Sequence, residues 1–320
     1  MANAAKDVGK EAQQKLGFWY THRFLFWRRL SQVAVLALFL IGPLFNIWWE
    51  FDSNNRSVAV LQGNYSSSLF LGFIPITDPL MLLQSLATGF WPVITAIVGA
   101  IIAIAIYSIV ASRLFCSWVC PLNLVTDLAA WLRRKFGFRS STTISRNLRY
   151  VAVVVILLGS AVSGTLLWEW INPVSTFGRG LINGLSQTPA SELTFSLLID
   201  GLMFGFGAGI WLIAAVFLFD LFVVEHGWCG HLCPIGATYG VIGSKAILRI
   251  SAERREDCTR CMDCINVCPE QHVLREPLFG KGESRLVLSK DCISCGRCID
   301  VCPEKVFKIK TRFHQSGVKE

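Results

Sequence analysis

The sequence predicts an α-helical membrane protein: four transmembrane helices in two weakly repeated pairs, followed by a C-terminal α+β domain built around cysteines. Three observations predict it. Apolar residues make up 53% of the 320 and charged ones 16%, with a mean hydropathy of +0.49, well beyond an ordinary soluble domain. The apolar residues gather in long runs. The 12 cysteines fall in four short motifs, the pattern of metal or redox ligands and not of a disulfide framework.

The cysteine-rich end carries the most specific signal. Cys258-x-x-Cys261-x-x-Cys264-x-x-x-Cys268-Pro269 recurs as Cys292-x-x-Cys295-x-x-Cys298-x-x-x-Cys302-Pro303. This is the spacing of a bacterial ferredoxin with two [4Fe–4S] clusters, in which each fourth cysteine ligates the other cluster. The expected ligand sets are therefore Cys258, Cys261, Cys264 and Cys302 for one cluster, and Cys268, Cys292, Cys295 and Cys298 for the second. Zinc also uses Cys-x-x-Cys pairs, but it has no use for a third cysteine at that step or for duplicated Cys-Pro steps.

From the start, residues 1–29 form a polar tail that ends in a basic-aromatic cluster from Phe18 to Arg29, suited to a membrane interface. It shows no apolar core or small-residue cleavage site of a signal peptide. Residues 30–249 form the membrane domain. Its four runs, Leu30 to Trp49, Trp91 to Ala111, Tyr150 to Trp168 and Gly201 to Val224, are long enough to cross a hydrocarbon core of about 30 Å as helices. Lys and Arg concentrate in the tail, in the 112–149 loop and after the fourth run, whereas the other two loops carry Arg56 and Arg179. The positive-inside rule then places both termini and the 112–149 loop in the cytoplasm. The net charge of +8 belongs to this flanking pattern and does not predict a nucleic-acid partner.

The two halves of the membrane domain repeat one another. Each contains an outer Asp78-Pro79 or Asn172-Pro173, then a span, then a Cys-x-x-x-Cys-Pro loop: Cys116 to Pro121 and Cys229 to Pro234. Amphipathic helices are expected after both loops. Leu124, Leu128, Leu132 and Phe136 would form the first apolar stripe, with Arg133, Arg134 and Lys135 reaching lipid headgroups; Tyr239, Ile242, Ala246 and Ile247 would form the second beside Lys245 and Arg249. The apolar stretch Leu69 to Phe90, broken by Pro75 and Pro79, reads as an interfacial or re-entrant piece. Within 250–320, the cytoplasmic ferredoxin-like domain, each half reads as strand, cysteine loop, helical turn and returning strand, with Pro277 to Glu283 as an inserted turn.

Three readings stand open for Cys116, Cys120, Cys229 and Cys233: an additional cluster, redox-active dithiols, or structural cysteines at helix ends. Haem is not expected, since no histidine falls in the four runs and no Cys-x-x-Cys-His occurs. Flavin is not expected either, because Gly236-Ala237-Thr238 is too short a signal for its attachment. A redox membrane protein without haem is expected to exchange electrons with quinol, whose oxidation releases protons to groups near the membrane boundary. Asp220, Glu225, His226 and His231 are the candidates, with His22 on the same side and Asp78 on the other. Taken singly, each reads first as an interfacial residue near water, and Asp78, ahead of Pro79, as a turn residue.

Phe115-Cys-Ser-Trp-Val-Cys-Pro-Leu-Asn-Leu-Val-Thr-Asp127, Gly227-Trp-Cys-Gly-His-Leu-Cys-Pro-Ile-Gly236 and the ferredoxin repeats together resemble the NapH family. These are ferredoxin-type membrane quinol dehydrogenase subunits of bacterial periplasmic nitrate reductase systems. The likeness spans nearly the whole chain beyond its tail. It broadens to the membrane halves of NosR-type and cytochrome oxidase assembly proteins, from which this sequence departs in having no outer flavin-binding domain and nothing beyond the ferredoxin.

The resemblance implies a quinol dehydrogenase component, not the terminal reductase. Electrons would pass from quinol to a periplasmic iron–sulfur partner of the NapG type, then through a c-type cytochrome to nitrate reductase. Clusters on the cytoplasmic face would lie about 30 Å of hydrocarbon from that acceptor, too far for one hop. An iron–sulfur reductase acting in the assembly of another respiratory metalloenzyme is the alternative, and a bare scaffold a third reading that eight cluster ligands oppose.

Overall fold

The computed structural model describes residues 8–48, 61–138, 144–178, 207–280 and 284–313. The chain divides into two compact units: residues 1–31, 105–149 and 220–320 form one, and 32–104 with 150–219 the other.

In the second unit, strands β1 (Leu61–Gly63), β2 (Ser67–Phe70) and β3 (Ile74–Thr77) form an antiparallel meander in that order. Leu71 and Gly72, both at positive φ, turn β2 into β3. Asp78 then caps the next helix, Pro79–Ala87, its carboxylate accepting from Leu80 N at 3.1 Å with Pro79 preset at the first helical position. The structure thus gives Asp78 a capping role. The buried Gln84 on that helix receives hydrogen bonds at Oε1 from Ser160 Oγ (3.2 Å) and Trp168 N (2.9 Å).

The expectation of four transmembrane helices is not met. Among the described residues no helix is long and apolar enough to cross a membrane. The second run becomes a 16-residue helix, Ile94–Ile109. The third becomes Leu148–Ser163, also 16 residues; Gly164, at φ +67, lies just beyond it, and a short helix, Leu167–Ile171, follows separately. Gly207–Phe222, again 16 residues, is the described part of the fourth run, whose start lies outside the described residues. At 1.5 Å per residue Ile94–Ile109 and Leu148–Ser163 each rise about 24 Å, short of a core of about 30 Å. Phe18–Trp48 has 31 residues, but Arg23, Arg28 and Arg29 occupy its first half. Hydropathy alone does not register where the backbone stops being helical. The charge-based orientation rested on those spans and finds no support in the described helices.

In the first unit, the helix Leu122–Phe136 buries Leu122, Asn123, Thr126, Ala129, Ala130 and Arg133, at helical spacing, and ends on Gly137 in the left-handed region. This is not the face the leucines mark: Leu128 and Phe136 are exposed. Nor does Arg133 face outward. It is buried and donates to the carbonyls of Asp220, Leu221 and Val223 at 2.8–3.3 Å, satisfying the end of the helix Gly207–Phe222. The second expected amphipathic helix is shorter than predicted, Pro234–Ile242. It stops where Gly243 meets Ser112: a Cβ there would lie 2.6 Å from Ser112 Cα.

The same unit holds a small core of Ile250, Ile265, Val273, Leu274, Leu278, Val287, Ile299, Val306 and Phe307 around the C-terminal cysteines. Strand β4 (Leu248–Ser251) pairs antiparallel with β5 (Lys308–Thr311). Helical turns fall at Asp263–Asn266 and Arg297–Asp300, one in each half. The halves then differ. After Cys268-Pro269 comes a helix, His272–Phe279, where a strand and the start of a turn were expected; Pro277 sits within it.

Candidate metal centres

The two C-terminal cysteine loops share an unusual backbone. Arg260 and Met262 have φ of 58° and 69°, and their counterparts Ser294 and Gly296 have 52° and 73°. Left-handed residues at both offsets curl each loop so that backbone N–H groups turn inward, the arrangement that cradles iron–sulfur sites. In the second loop glycine meets this need and a second one, since a Cβ on Gly296 would lie 2.5 Å from the Phe24 ring.

The eight thiols fall into two groups. One pocket is lined by Cys258, Cys261, Cys264 and Cys302, with Leu278, Phe279 and Phe307 as apolar wall. Burial and the neighbouring thiols of Cys302, Cys261 and Cys258 push the Cys264 thiol up to about 12. Val306 N donates to Cys302 Sγ at 3.4 Å. In the other group, burial and then Cys295 and Cys292 raise Cys268 well above the ordinary thiol value, and Cys298 rises through burial with Cys295, Cys268 and Cys292. The Cys292 thiol reaches about 11, chiefly through burial. The fourth cysteine of each motif therefore sits with the other motif's three.

Thiols packed this way resist ionising until a cation takes their protons' place, so the residues fit a metal group. Among the described residues no three His, Cys, Asp or Glu side chains gather tightly enough to ligate a single ion. A four-iron cubane takes its thiolates at four separate irons and does not need them to meet at one centre.

The Cys-x-x-x-Cys-Pro loops meet as well. Cys116 lies on the short helix Leu114–Trp118 and Cys120-Pro121 leads into Leu122–Phe136; Cys229 lies on a π-turn, Trp228–Leu232, and Cys233 precedes Pro234. Burial first, then Cys116 and Cys233, raises the Cys120 thiol; Cys233 reaches about 12 through burial and Cys116.

The quinol-site candidates are distributed unevenly. His226, at φ 52, is buried, and its Nδ1 has no hydrogen-bond partner and lies 4.0 Å from Asp127 Oδ1. It borders a cavity of about 480 Å³ walled by Leu25, Leu124, Leu128 and Trp131, with Arg28 and Asp127, and reaching Val267 and Pro269 on either side of Cys268. Glu225 and His231 line a second, more polar cavity of about 720 Å³ that His226 also borders. Glu225 is paired with Arg134 at 2.8 Å. Asp220 is fully buried and accepts from Trp228 N at 2.9 Å, holding the π-turn. His22 is not among either cavity's walls; its ring stacks on Phe18.

The sequence reading missed a buried ionic network beside the thiols. Arg113 donates to Glu270 Oε1 (2.8 Å), Asp291 O (3.1 Å) and Cys229 O (2.7 Å). Arg149 pairs with both Glu270 and Asp291, and His272 Nε2 lies 3.0 Å from Asp291 Oδ2. A signal was present: Glu270 directly follows Cys268-Pro269, Asp291 directly precedes Cys292, and Arg113 stands just ahead of the Cys116 motif, so opposite charges flank cysteine motifs that have to meet.

These groups define an iron–sulfur electron-transfer protein of ferredoxin type. A family of 4Fe-4S dicluster domains matches residues 250–303, and a 4Fe-4S binding domain matches twice, over 92–139 and 204–251, the two copies of the internal repeat. The chain is 56% identical to the ferredoxin-type protein NapH of Haemophilus influenzae over 99% of its length and all of that protein, and 52% identical to NapH of Escherichia coli over both full lengths. It is 42% identical to the methylamine utilization ferredoxin-type protein MauN of Methylorubrum extorquens, over 89% of this chain and 87% of that one. The chain belongs to the NapH family of ferredoxin-type proteins. No solved structure matches it.

Proposed function

We propose that the chain oxidises quinol and passes the electrons through two [4Fe–4S] clusters, held by Cys258, Cys261, Cys264 and Cys302 and by Cys268, Cys292, Cys295 and Cys298, towards a nitrate reductase system. The crosswise grouping of the eight thiols carries this reading. Bound clusters supply one-electron steps. Partners of the NapG and c-type cytochrome kinds belong to it through the family, as do the quinol substrate and the absence of haem and flavin.

The 480 Å³ cavity suits the quinol step. Its apolar wall accepts a ring, and the imidazole of His226, which borders the cavity, would take a hydroxyl proton while Asp127, 4.0 Å from its Nδ1, steadies the resulting imidazolium. The cavity reaches the Cys268 segment, so the electron path is short. Val93, Ile94, Ile101, Val162 and Trp211 in the second unit present exposed apolar side chains, a surface suited to lipid hydrocarbon, where a quinol dissolves.

The test is redox titration by EPR with a soluble quinol analogue as sole reductant. Wild-type clusters are reduced. His226→Asn keeps its clusters and their dithionite-reduced spectrum but loses quinol-driven reduction by roughly 100-fold or more. Unaltered rates in that variant reject the cavity as the quinol site.

A further inference from the structure

We propose that Cys116, Cys120, Cys229 and Cys233 together hold a third iron–sulfur cluster, seated on the loop that carries Cys292 and Cys295, with which it exchanges electrons directly. The proposal rests on the reading of the eight C-terminal cysteines as cluster ligands and goes beyond it.

The closure of the four thiols is built into the packing. The π-turn with Cys229 lies against the first turns of Leu122–Phe136: Cys229 Sγ is 3.9 Å from Thr126 Oγ1. Arg113 fixes the same approach from the other side through its 2.7 Å bond to Cys229 O, and Gly236 leaves room for it, since a Cβ there would stand 2.8 Å from Arg113 Nη2. One thiol pair from each half of the repeat completes a four-ligand set that neither half has alone. All four are partly buried, and each of Cys120, Cys229 and Cys233 is acted on electrostatically by other members of the set.

The first loop is also bonded to the ferredoxin loop. Ser117 Oγ donates to Ile293 O at 2.6 Å, Trp118 Nε1 to Ser294 O at 3.3 Å, Ser112 Oγ to Lys290 O at 2.9 Å, and Ser294 Oγ to Ser112 O at 3.3 Å. Ser117 and Trp118, which directly follow Cys116, meet Ile293 and Ser294, the two residues between Cys292 and Cys295, while Ser112, ahead of Cys116, joins Lys290 and Ser294. These hydrogen bonds hold the Cys116 loop directly against the segment 292–295, the contact a one-electron hop needs. In that hop one electron leaves a reduced ferredoxin cluster and enters the oxidised third cluster; no proton moves and no bond forms.

Arg113 is the positioning residue. Four thiolates around a [4Fe–4S] core carry net negative charge in either redox state, and reduction adds one more. A buried guanidinium between this site and Asp291, next to Cys292, favours the reduced form of both clusters. Replacing it with an uncharged side chain lowers their potentials.

The experiment is iron and acid-labile sulfide analysis of the full-length protein, purified without oxygen, with EPR of the dithionite-reduced state. The proposal expects about twelve irons per chain in the wild type and about eight in Cys120→Ser and Cys229→Ser, whose ferredoxin signals persist but sharpen as a neighbouring spin disappears. Arg113→Gln is expected to retain its irons with both potentials lowered, and Arg113→Lys to restore them in part. Eight irons in the wild type, unchanged in the cysteine variants, overturn the third cluster and leave the ferredoxin reading intact. Fewer than eight irons in an intact wild-type sample instead sink the ferredoxin reading, and the third cluster with it.

Discussion

Arg113 and Glu270 form an ion pair at 2.8 Å with both side chains almost wholly removed from water. They lie far apart in sequence, one ahead of the first Cys-Pro loop and the other just after Cys268-Pro269, so the pair fastens the repeat to the ferredoxin loops. Two more arginines, Arg149 and Arg146, also address Glu270. Removing the carboxylate leaves buried guanidinium charge uncompensated, which costs roughly 3–5 kcal/mol. Glu270→Gln is therefore expected to lower the denaturant midpoint of the cluster-loaded protein by that equivalent. A loss below about 1 kcal/mol would show that the network contributes little to stability.

Gly296 and Met262 occupy equivalent places in the two cysteine loops, both with left-handed backbone. At Gly296 the Phe24 ring stands where a Cβ would go. Gly296→Ala should cost about 1–3 kcal/mol, from backbone strain and the clash together. Adding Phe24→Leu should recover part of the loss if the ring is the obstacle; the thermal midpoints of the single and double variants decide it.

His226 makes stability depend on pH. Burial is the main influence on its imidazole and lowers its pKa below the ordinary 6.5, with Asp127 and Glu225 acting in the opposite sense. In the unfolded chain this histidine takes up its proton near pH 6.5, while the folded one stays neutral to lower pH. The unfolded state then binds more protons in that interval, so this contribution falls as pH drops from about 6.5 towards the folded value. His226→Asn should flatten the decline between pH 7 and pH 5.5, measured by denaturant unfolding. Asp291 acts elsewhere: burial raises its carboxyl, but the hydrogen bond from His272 and the charges of Arg149 and Arg113 outweigh this and hold it at about 2. Its support is complete above about pH 4 and fades only below, outside the window of the histidine test.

What was legible in the sequence follows from how local each constraint is. Cysteine spacing is a ligand geometry written along the chain, so the crosswise grouping of Cys302 and Cys268 could be expected before any fold was known. The repeat of the Cys-Pro loops was legible for the same reason. Helix ends are set otherwise: Gly164 lies just past one apolar run's helix, and Gly243 closes another where Ser112 approaches from a distant segment. The face of Leu122–Phe136 that packs inward is chosen by tertiary partners. Small and polar residues fit against neighbouring backbone, and Arg133 caps carbonyls that no periodicity reveals. Arg113, Glu270 and Asp291 escaped notice because each is an ordinary charge until the fold brings them together.

The crosswise ligand sets make a prediction that a sequential pairing does not. If Cys302 serves with Cys258, Cys261 and Cys264, then losing Cys302 and losing Cys258 damage the same cluster, and the double variant Cys258→Ala with Cys302→Ala should lose no more iron than either single variant, about four per chain. Pairing Cys302→Ala with Cys292→Ala should instead remove about eight, because it strikes both clusters. Sequential sets, with Cys302 joining Cys292, Cys295 and Cys298, give the opposite result in each case. Iron content of the four variants beside the wild type separates the schemes, and EPR of the surviving cluster in each background identifies which one remains. The structure favours the crosswise result: Cys302 shares its pocket with Cys258, Cys261 and Cys264, whereas Cys298 rises with Cys295, Cys268 and Cys292.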